Sequence, residues 1–253
     1  MDKNTLDKLR KIELEILDYI VDICNENGIR YYLAYGTLLG AVRHSGFIPW
    51  DDDVDICLLR KDYERLCCIL RTNCSESTEY YFQEPYIDED FKYPFAKVRK
   101  RGTVFLETQI SNRAKEQGIF VDIFPLDKVK HRIGIQKLWS YLIYKILLMP
   151  NGRHNIEYKI VKKLSTWDEK KKCKYLVSYG SAYPVEKDVM NVEWFGNSVK
   201  LPFEGKEYTA PIGYKEVLKK LYGADYMDLP PIEKRVTHNP TMILFDTERN
   251  NRR

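Results

Sequence analysis

Long apolar runs are missing from this chain. No stretch of its 253 residues reaches the ~20 consecutive apolar positions needed to cross a bilayer, which excludes a helical membrane span from the reading. Cysteine is sparse and unpatterned. The six residues show no C-x-x-C spacing, and Cys67 and Cys68 are adjacent, so neither a disulfide framework nor a thiolate metal site is indicated. The four histidines are scattered without ligand spacing, which removes the usual signature of zinc. No secretory signal precedes the charged N-terminus, and reduced thiols in a cytoplasm are expected. There is no internal repeat and no low-complexity segment. The net charge is only +4, and without a recognised binding motif nucleic acid is not expected as a partner. What is present, 44% hydrophobic and 31% charged residues, describes a globular protein large enough for a substantial core.

The chain is organised around residues 36–56, GTLLGAVRHSGFIPWDDDVDI. Residues 31–35 read as a short aromatic strand, and Gly36-Thr37 as a tight turn into a helix over 38–44. Thr37 is expected to cap that helix, whose free N–H groups and dipole suit a phosphate. Gly36 would let the backbone approach the phosphate, and Gly40 and Ala41 would let the helix lie against a sheet. After the Ser45-Gly46 turn and the break at Pro49, Val54, Ile56, Leu58 and Leu59 indicate a strand, with Asp53 and Asp55 two apart and therefore on one face. Like charges so placed are unfavourable unless a cation neutralises them, and paired hard oxygens suit Mg²⁺ carrying a nucleotide phosphate. Asp51 and Asp52 fit either a solvated turn or the same site.

Two later strands carry further candidates. Over 93–99, alternation puts Phe95, Lys97 and Arg99 on one face. A Lys and an Arg together can grip a diphosphate, although solvated surface cations have the same pattern. Over 118–124, GIFVDIF encloses Asp122 among apolar neighbours, a costly placement unless the carboxylate is paired. A structural ion pair with an Arg and a functional role both satisfy that demand.

A Gly-Thr helix start followed by an Asp-hydrophobic-Asp strand resembles the nucleotidyltransferase superfamily. With Arg43-His44 and Ile48-Pro49-Trp50-Asp51 included, the string resembles the LicD family of phosphocholine transferases, to which the fukutin-type glycan phosphotransferases are similar. KYPFAKVRKRGT (92–103), GIFVDIFPLD (118–127), LPFEGKEYTAP, LYGADYMDLPP and His238 continue the likeness in LicD-like order over about half the chain. The resemblance implies an α/β (α+β) fold, a nucleotidyltransferase-like mixed sheet flanked by helices. It implies Mg²⁺ held by Asp53, Asp55 and Asp122, the last from a later strand and placed to orient or deprotonate an acceptor hydroxyl. Gly36, Thr37, Arg43, Lys97 and Arg99 would bind the donor phosphates. The expected reaction moves phosphocholine, or a related substituted phosphate, from a CDP-activated donor, CDP-choline first, to a sugar hydroxyl of a glycan or lipid-linked glycan, releasing CMP. Two other functions use the same residues: transfer of NMP from an NTP to a small molecule, and a non-catalytic glycan- or lipid-binding module.

Apolar periodicity predicts helices over 5–24, closed by Asn27-Gly28, and over 60–71, 137–149, 156–164, 168–179 and 214–222. Residues 128–175 hold thirteen Lys or Arg against three acidic residues, a local +10 that leaves −6 for the remainder. Such a basic helical segment is either a packed lid with a solvated face or a surface resting peripherally on the inner membrane face. The expected division is a catalytic core over 1–127 and, over 128–253, a basic helical subdomain with an irregular C-terminal segment completing the cleft. Glu207 and His238 are candidate substrate contacts, with core or turn roles as the plainer reading, and 246–253 is expected to fray.

Overall fold

The computed structural model describes residues 1–88, 90–106, 116–130, 133–147, 154–235 and 237–245; the expected fraying of 246–253 lies outside them. The first helix, α1 (Lys3–Glu26), starts where the Asp2 carboxylate accepts the Thr5 N–H at 3.0 Å and ends at Asn27, followed by Gly28 at φ 58°. It buries Leu9, Ile16, Leu17 and Ile20 in the core. Strand β1 is only Tyr32–Leu33, because helix α2 (Tyr35–His44) already begins at Tyr35. The chain continues through β2 (Asp55–Leu59), α3 (Arg60–Ser75), β3 (Tyr80–Gln83), β4 (Ala96–Lys100), β5 (Val104–Leu106) and β6 (Phe120–Val129). Beyond these lie α4 (Ile135–Leu147), α5 (His154–Ser165), β7 (Tyr175–Val177), α6 (Val185–Asp188), β8 (Met190–Asn191), the hairpin β9 (Ser198–Phe203) and β10 (Lys206–Pro211), α7 (Tyr214–Tyr222) and β11 (Met242–Leu244).

The main sheet is mixed, in the order β1-β2-β6-β4-β3, with β7 on the far half of β6 and β8 beside β7. Only β2 and β6 run parallel among its described pairs. Register places Asp55 opposite Asp122 and Asp122 opposite Lys97; one step on, Ile56, Ile123 and Ala96 form the next row. Because side chains alternate, the charged row faces one side of the sheet and the apolar row the other. Helices α1 and α3 pack on the sheet, while α2 lies among β2, β9 and α7.

Strand β6 runs through Pro125, which stands opposite Leu58, and continues past the expected end at residue 124. At its C-terminal half, the Arg60 guanidinium grips the buried Asp127 carboxylate through two bonds of 2.6 and 2.7 Å, fastening β2 to β6. The division expected at 127/128 therefore falls inside a strand. Buried residues from Leu9 to Phe245 form one core, and Phe203, Tyr208 and Leu218 from the C-terminal half belong to it. A separate small core of Ile143, Leu147 and Val161 sits between α4 and α5. The helix expected over 168–179 is replaced by turns and β7. Tyr175-Leu176-Val177 pairs with the end of β6 instead, and Asp168 accepts the Lys130 N–H at 2.9 Å, a turn-forming use of an Asp that competes with helix.

Candidate active site

One cleft of about 1790 Å³ opens over the charged row. It is lined by Gly36, Arg43, Asp53, Asp55, Lys97 and Asp122, six of the eight residues to which the resemblance gave metal or phosphate roles. Thr37 and Arg99 lie behind it.

Thr37 is buried inside α2, two residues past the first helical position, and its hydroxyl accepts the Asp55 N–H at 2.8 Å. It therefore aims Asp55 and does not cap the helix; Ala34 occupies the cap position with no side-chain bond. The expected role of Gly36 also changes. A Cβ there would stand 2.7 Å from Asp51 Oδ2, so the missing side chain makes room for the Asp51 carboxylate. Gly40 lies against the Gly46 carbonyl of the following turn, not against a sheet strand. Tyr35 begins the helix at φ 42°, a left-handed backbone that costs a non-glycine residue on the order of 1 kcal/mol or more. Its side chain is fixed by three contacts: a bond from its hydroxyl to Asp188 at 3.2 Å, a stack on Tyr183 and an edge contact with Phe124.

The carboxylates repel one another. Burial, followed by the charges of neighbouring aspartates, pushes Asp55 well above the carboxylate range; burial together with Asp122 and Asp52 pushes Asp53 up to about 6, against the opposing pull of His238. Asp51 is raised by burial and by Asp53 and Asp52. Against this, Lys97 places its ammonium 2.8 Å from Asp122 and 3.4 Å from the Phe120 ring centroid. Lys97 is thus a buried counter-ion to Asp122. Arg99 is spent on the fold, donating to Gln83 at 2.6 Å and to the Gly118 carbonyl at 2.7 Å. Arg43 donates to the Tyr226 and Asp228 carbonyls at 3.0 Å each and to His44, so it anchors the 226–228 rim of the cleft.

The C-terminal segment divides in an unforeseen way. LPFEGKEYTAP is the β9–β10 hairpin behind α2, where Glu204 accepts the Phe47 N–H at 3.0 Å; Glu207 is exposed there and does not line the cleft. LYGADYMDLPP does line it, through Tyr222, Asp225, Tyr226 and Asp228. His238 arrives through three clasps. Its backbone N–H donates to both oxygens of the buried Asp52 at 3.1 and 3.2 Å, Arg235 covers the Trp50 ring, and β11 pairs with β5. The His238 ring lies 3.1 Å from Asp52 and 3.7 Å from Asp53. Asp52, Asp53 and His238 bring their ligand atoms within 4.8 Å of one another, the one such grouping among the described residues. The sequence marked His238 only through the LicD-like order and as a candidate substrate contact, and Asp52 only as part of the DDD run; their meeting, across 186 positions, was not legible.

Hard oxygen donors at Asp53 and Asp55, both raised by burial and by neighbouring carboxylates, with Asp122 opposite Asp55 in the sheet, are of the chemical kind that suits a divalent cation of the Mg²⁺ type. Carboxylates perturbed in this way and gathered in an open cleft mark a candidate catalytic site.

Residues 28–145 match the family described as LicD/FKTN/FKRP, nucleotidyltransferase domain. Over 270 residues the chain is 30% identical to lipopolysaccharide cholinephosphotransferase LicD of Haemophilus influenzae, an alignment covering 94% of this chain and 97% of that protein. Ribitol 5-phosphate transferase FKRP of Homo sapiens is 46% identical over 48 residues, 19% of this chain and 10% of its own length. An uncharacterised protein of Rickettsia prowazekii is 34% identical over 113 residues, 43% of this chain and 42% of its own. The chain belongs to the LicD family and is a LicD-like transferase.

Proposed function

We propose that the cleft transfers phosphocholine, or a closely related substituted phosphate, from a CDP-activated donor to a sugar hydroxyl of a glycan, releasing CMP. The observation that carries this reading is the row Asp55–Asp122–Lys97, three charged side chains in register across β2, β6 and β4. The naming of a full-length relative as a cholinephosphotransferase supports the choice of group. A cleft of about 1790 Å³ exceeds the ~300–1,000 Å³ of a site for one small ligand, which leaves room for donor and acceptor together.

In this reading Asp53, Asp55 and Asp122 would hold Mg²⁺, which when bound would supply charge neutralisation for the donor diphosphate. Asp122 accepts the proton of the sugar hydroxyl as its oxygen bonds to the β-phosphorus, and the bond from that phosphorus to the bridging oxygen breaks with its electrons going to CMP. Lys97 beside Asp122 shares the charge that gathers on the transferred phosphate, and Arg43 holds the cleft rim in place. Helix α4 extends the cleft outward. Tyr141 and Tyr144 line its mouth and remain 57% and 60% exposed, and Leu138, Ile156, Ile160 and Trp167 are also exposed within the basic segment. This combination suits an anionic membrane surface carrying a lipid-linked acceptor. No helix among the described residues is long and apolar enough to cross a membrane.

The test is chromatography of nucleotide products after incubation with Mg²⁺, CDP-choline and a membrane-glycan extract, beside Asp53→Asn. CMP that requires intact protein and acceptor is the expected result. Pyrophosphate from an added NTP, with no CMP from CDP-choline, would replace the proposal with NMP transfer.

A further inference from the structure

Aromatic rings make up one continuous wall of the cleft. Phe95 meets Phe124 at 4.5 Å between centroids, Phe124 meets Tyr35 at 5.1 Å, Tyr35 meets Tyr183 at 5.4 Å, and Tyr183 meets Tyr222 at 5.8 Å. All five line the same space as Asp51, Asp53 and Asp55. The arc turns corners. Tyr35 is nearly perpendicular to Phe124 at 82°, and Tyr222 to Tyr183 at 85°, so its rings present faces in more than one direction. Its polar tips are already engaged: the Tyr35 hydroxyl donates to Asp188, and the Tyr183 hydroxyl donates to that of Tyr222 at 2.8 Å.

We propose that this arc, centred on Tyr183 and Tyr222, is a subsite for a quaternary ammonium group. The inference rests on the reading above for the position of the phosphate, and it deepens that reading by naming what recognises the transferred group. A trialkylammonium has no N–H to donate, so it is recognised by ring faces, and the arc supplies them. The far end of the wall already takes a cation: the Lys97 ammonium lies 5.6 Å from the Phe95 centroid and 3.4 Å from that of Phe120, with its charge answered by Asp122.

The experiment uses the whole chain and two probes, tetramethylammonium, which carries no phosphate, and phosphocholine, compared with ribitol 5-phosphate and CMP. Wild type should shift the methyl proton resonance of tetramethylammonium upfield, as ring currents do, and bind phosphocholine more tightly than ribitol 5-phosphate. Tyr183→Leu should weaken phosphocholine by about 5- to 30-fold, the range of a desolvated cation–ring contact, with CMP binding within about twofold; Tyr183→Phe, which keeps the ring, should bind like wild type. No upfield shift in wild type, or equal phosphocholine binding by Tyr183→Leu, would overturn the subsite. CMP release from a polyol-phosphate donor with no tetramethylammonium binding would remove the arc and leave phosphate transfer standing. Tetramethylammonium binding that Tyr183→Leu abolishes, with no CMP formed from any donor, would keep the arc and remove the transfer reading.

Discussion

Lys97 and Asp122 are each other's counter-charge in a place where water is scarce, and their mutants should behave as a pair. Lys97→Met leaves the Asp122 carboxylate buried with its salt bridge gone, and we expect a loss of ~3–5 kcal/mol in denaturant unfolding. Lys97→Met combined with Asp122→Asn should recover most of that loss because no lone charge remains, yet stay inactive. Recovery of activity by the double variant would remove Asp122 from catalysis. Neither role was legible locally. Alternation placed Lys97 and Arg99 on one face of a strand, but which of the two reaches the cleft depends on what lies opposite: Lys97 faces Asp122, whereas Arg99 meets Gln83 and the Gly118 carbonyl. Likewise, the structural Arg–carboxylate pair considered for Asp122 exists five residues on, at Asp127 with Arg60.

Helix α2 and the turn behind it pack backbone against backbone. A Cβ on Gly40 would collide with the Gly46 carbonyl oxygen, an atom that cannot swing aside, so Gly40→Ala should cost ~1–3 kcal/mol despite alanine's better helix propensity. Gly36→Ala meets only the end of the Asp51 side chain and should cost less stability while lowering activity, readable as a fall in turnover at nearly unchanged melting temperature. Helix α4 offers the opposite case. Leu138 and Tyr144 are exposed, so Leu138→Ser with Tyr144→Ser should change stability by no more than ~0.5 kcal/mol per site, while reducing co-sedimentation with phosphatidylglycerol vesicles. Unchanged sedimentation would leave α4 a solvated lid.

The whole molecule concentrates like charge at one end of its sheet, and its stability should record that. Asp53 titrates at about 6 in the folded chain against an ordinary 3.8, and Asp51 and Asp55 are also raised. A raised carboxylate pKa means that the folded state holds protons the unfolded state has released. Stability therefore falls as pH rises from about 4 through about 6 and stays lower above that. With EDTA present, the melting temperature contributed by these groups should be higher at pH 5 than at pH 7.5. Mg²⁺ should raise it at pH 7.5 and do much less at pH 5, where protons compete for the same oxygens. A melting temperature indifferent to Mg²⁺ at both pH values would count against metal binding by Asp53, Asp55 and Asp122.

Much of this was written along the chain. Apolar periodicity set α1, α3 and α7, and the turn signal Asn27-Gly28 ended α1, because these patterns arise from the geometry of single elements; Asp53 and Asp55 do line one cleft, but Asp53 precedes β2, so strand alternation is not what brings them together. Register could not be read that way. Whether Asp55, Asp122 and Lys97 form one row depends on how three strands distant in sequence slide against each other, and a one-residue slip would have turned them to opposite faces. The helix start was displaced from Gly36-Thr37 to Tyr35, because the Tyr35 side chain is held by Asp188, Tyr183 and Phe124 from three other segments. Tertiary packing alone decided that Thr37 aims Asp55, that His238 clasps Asp52, and that aromatic residues from five separate segments close into one arc; each depends on contacts made only after the chain has folded back on itself.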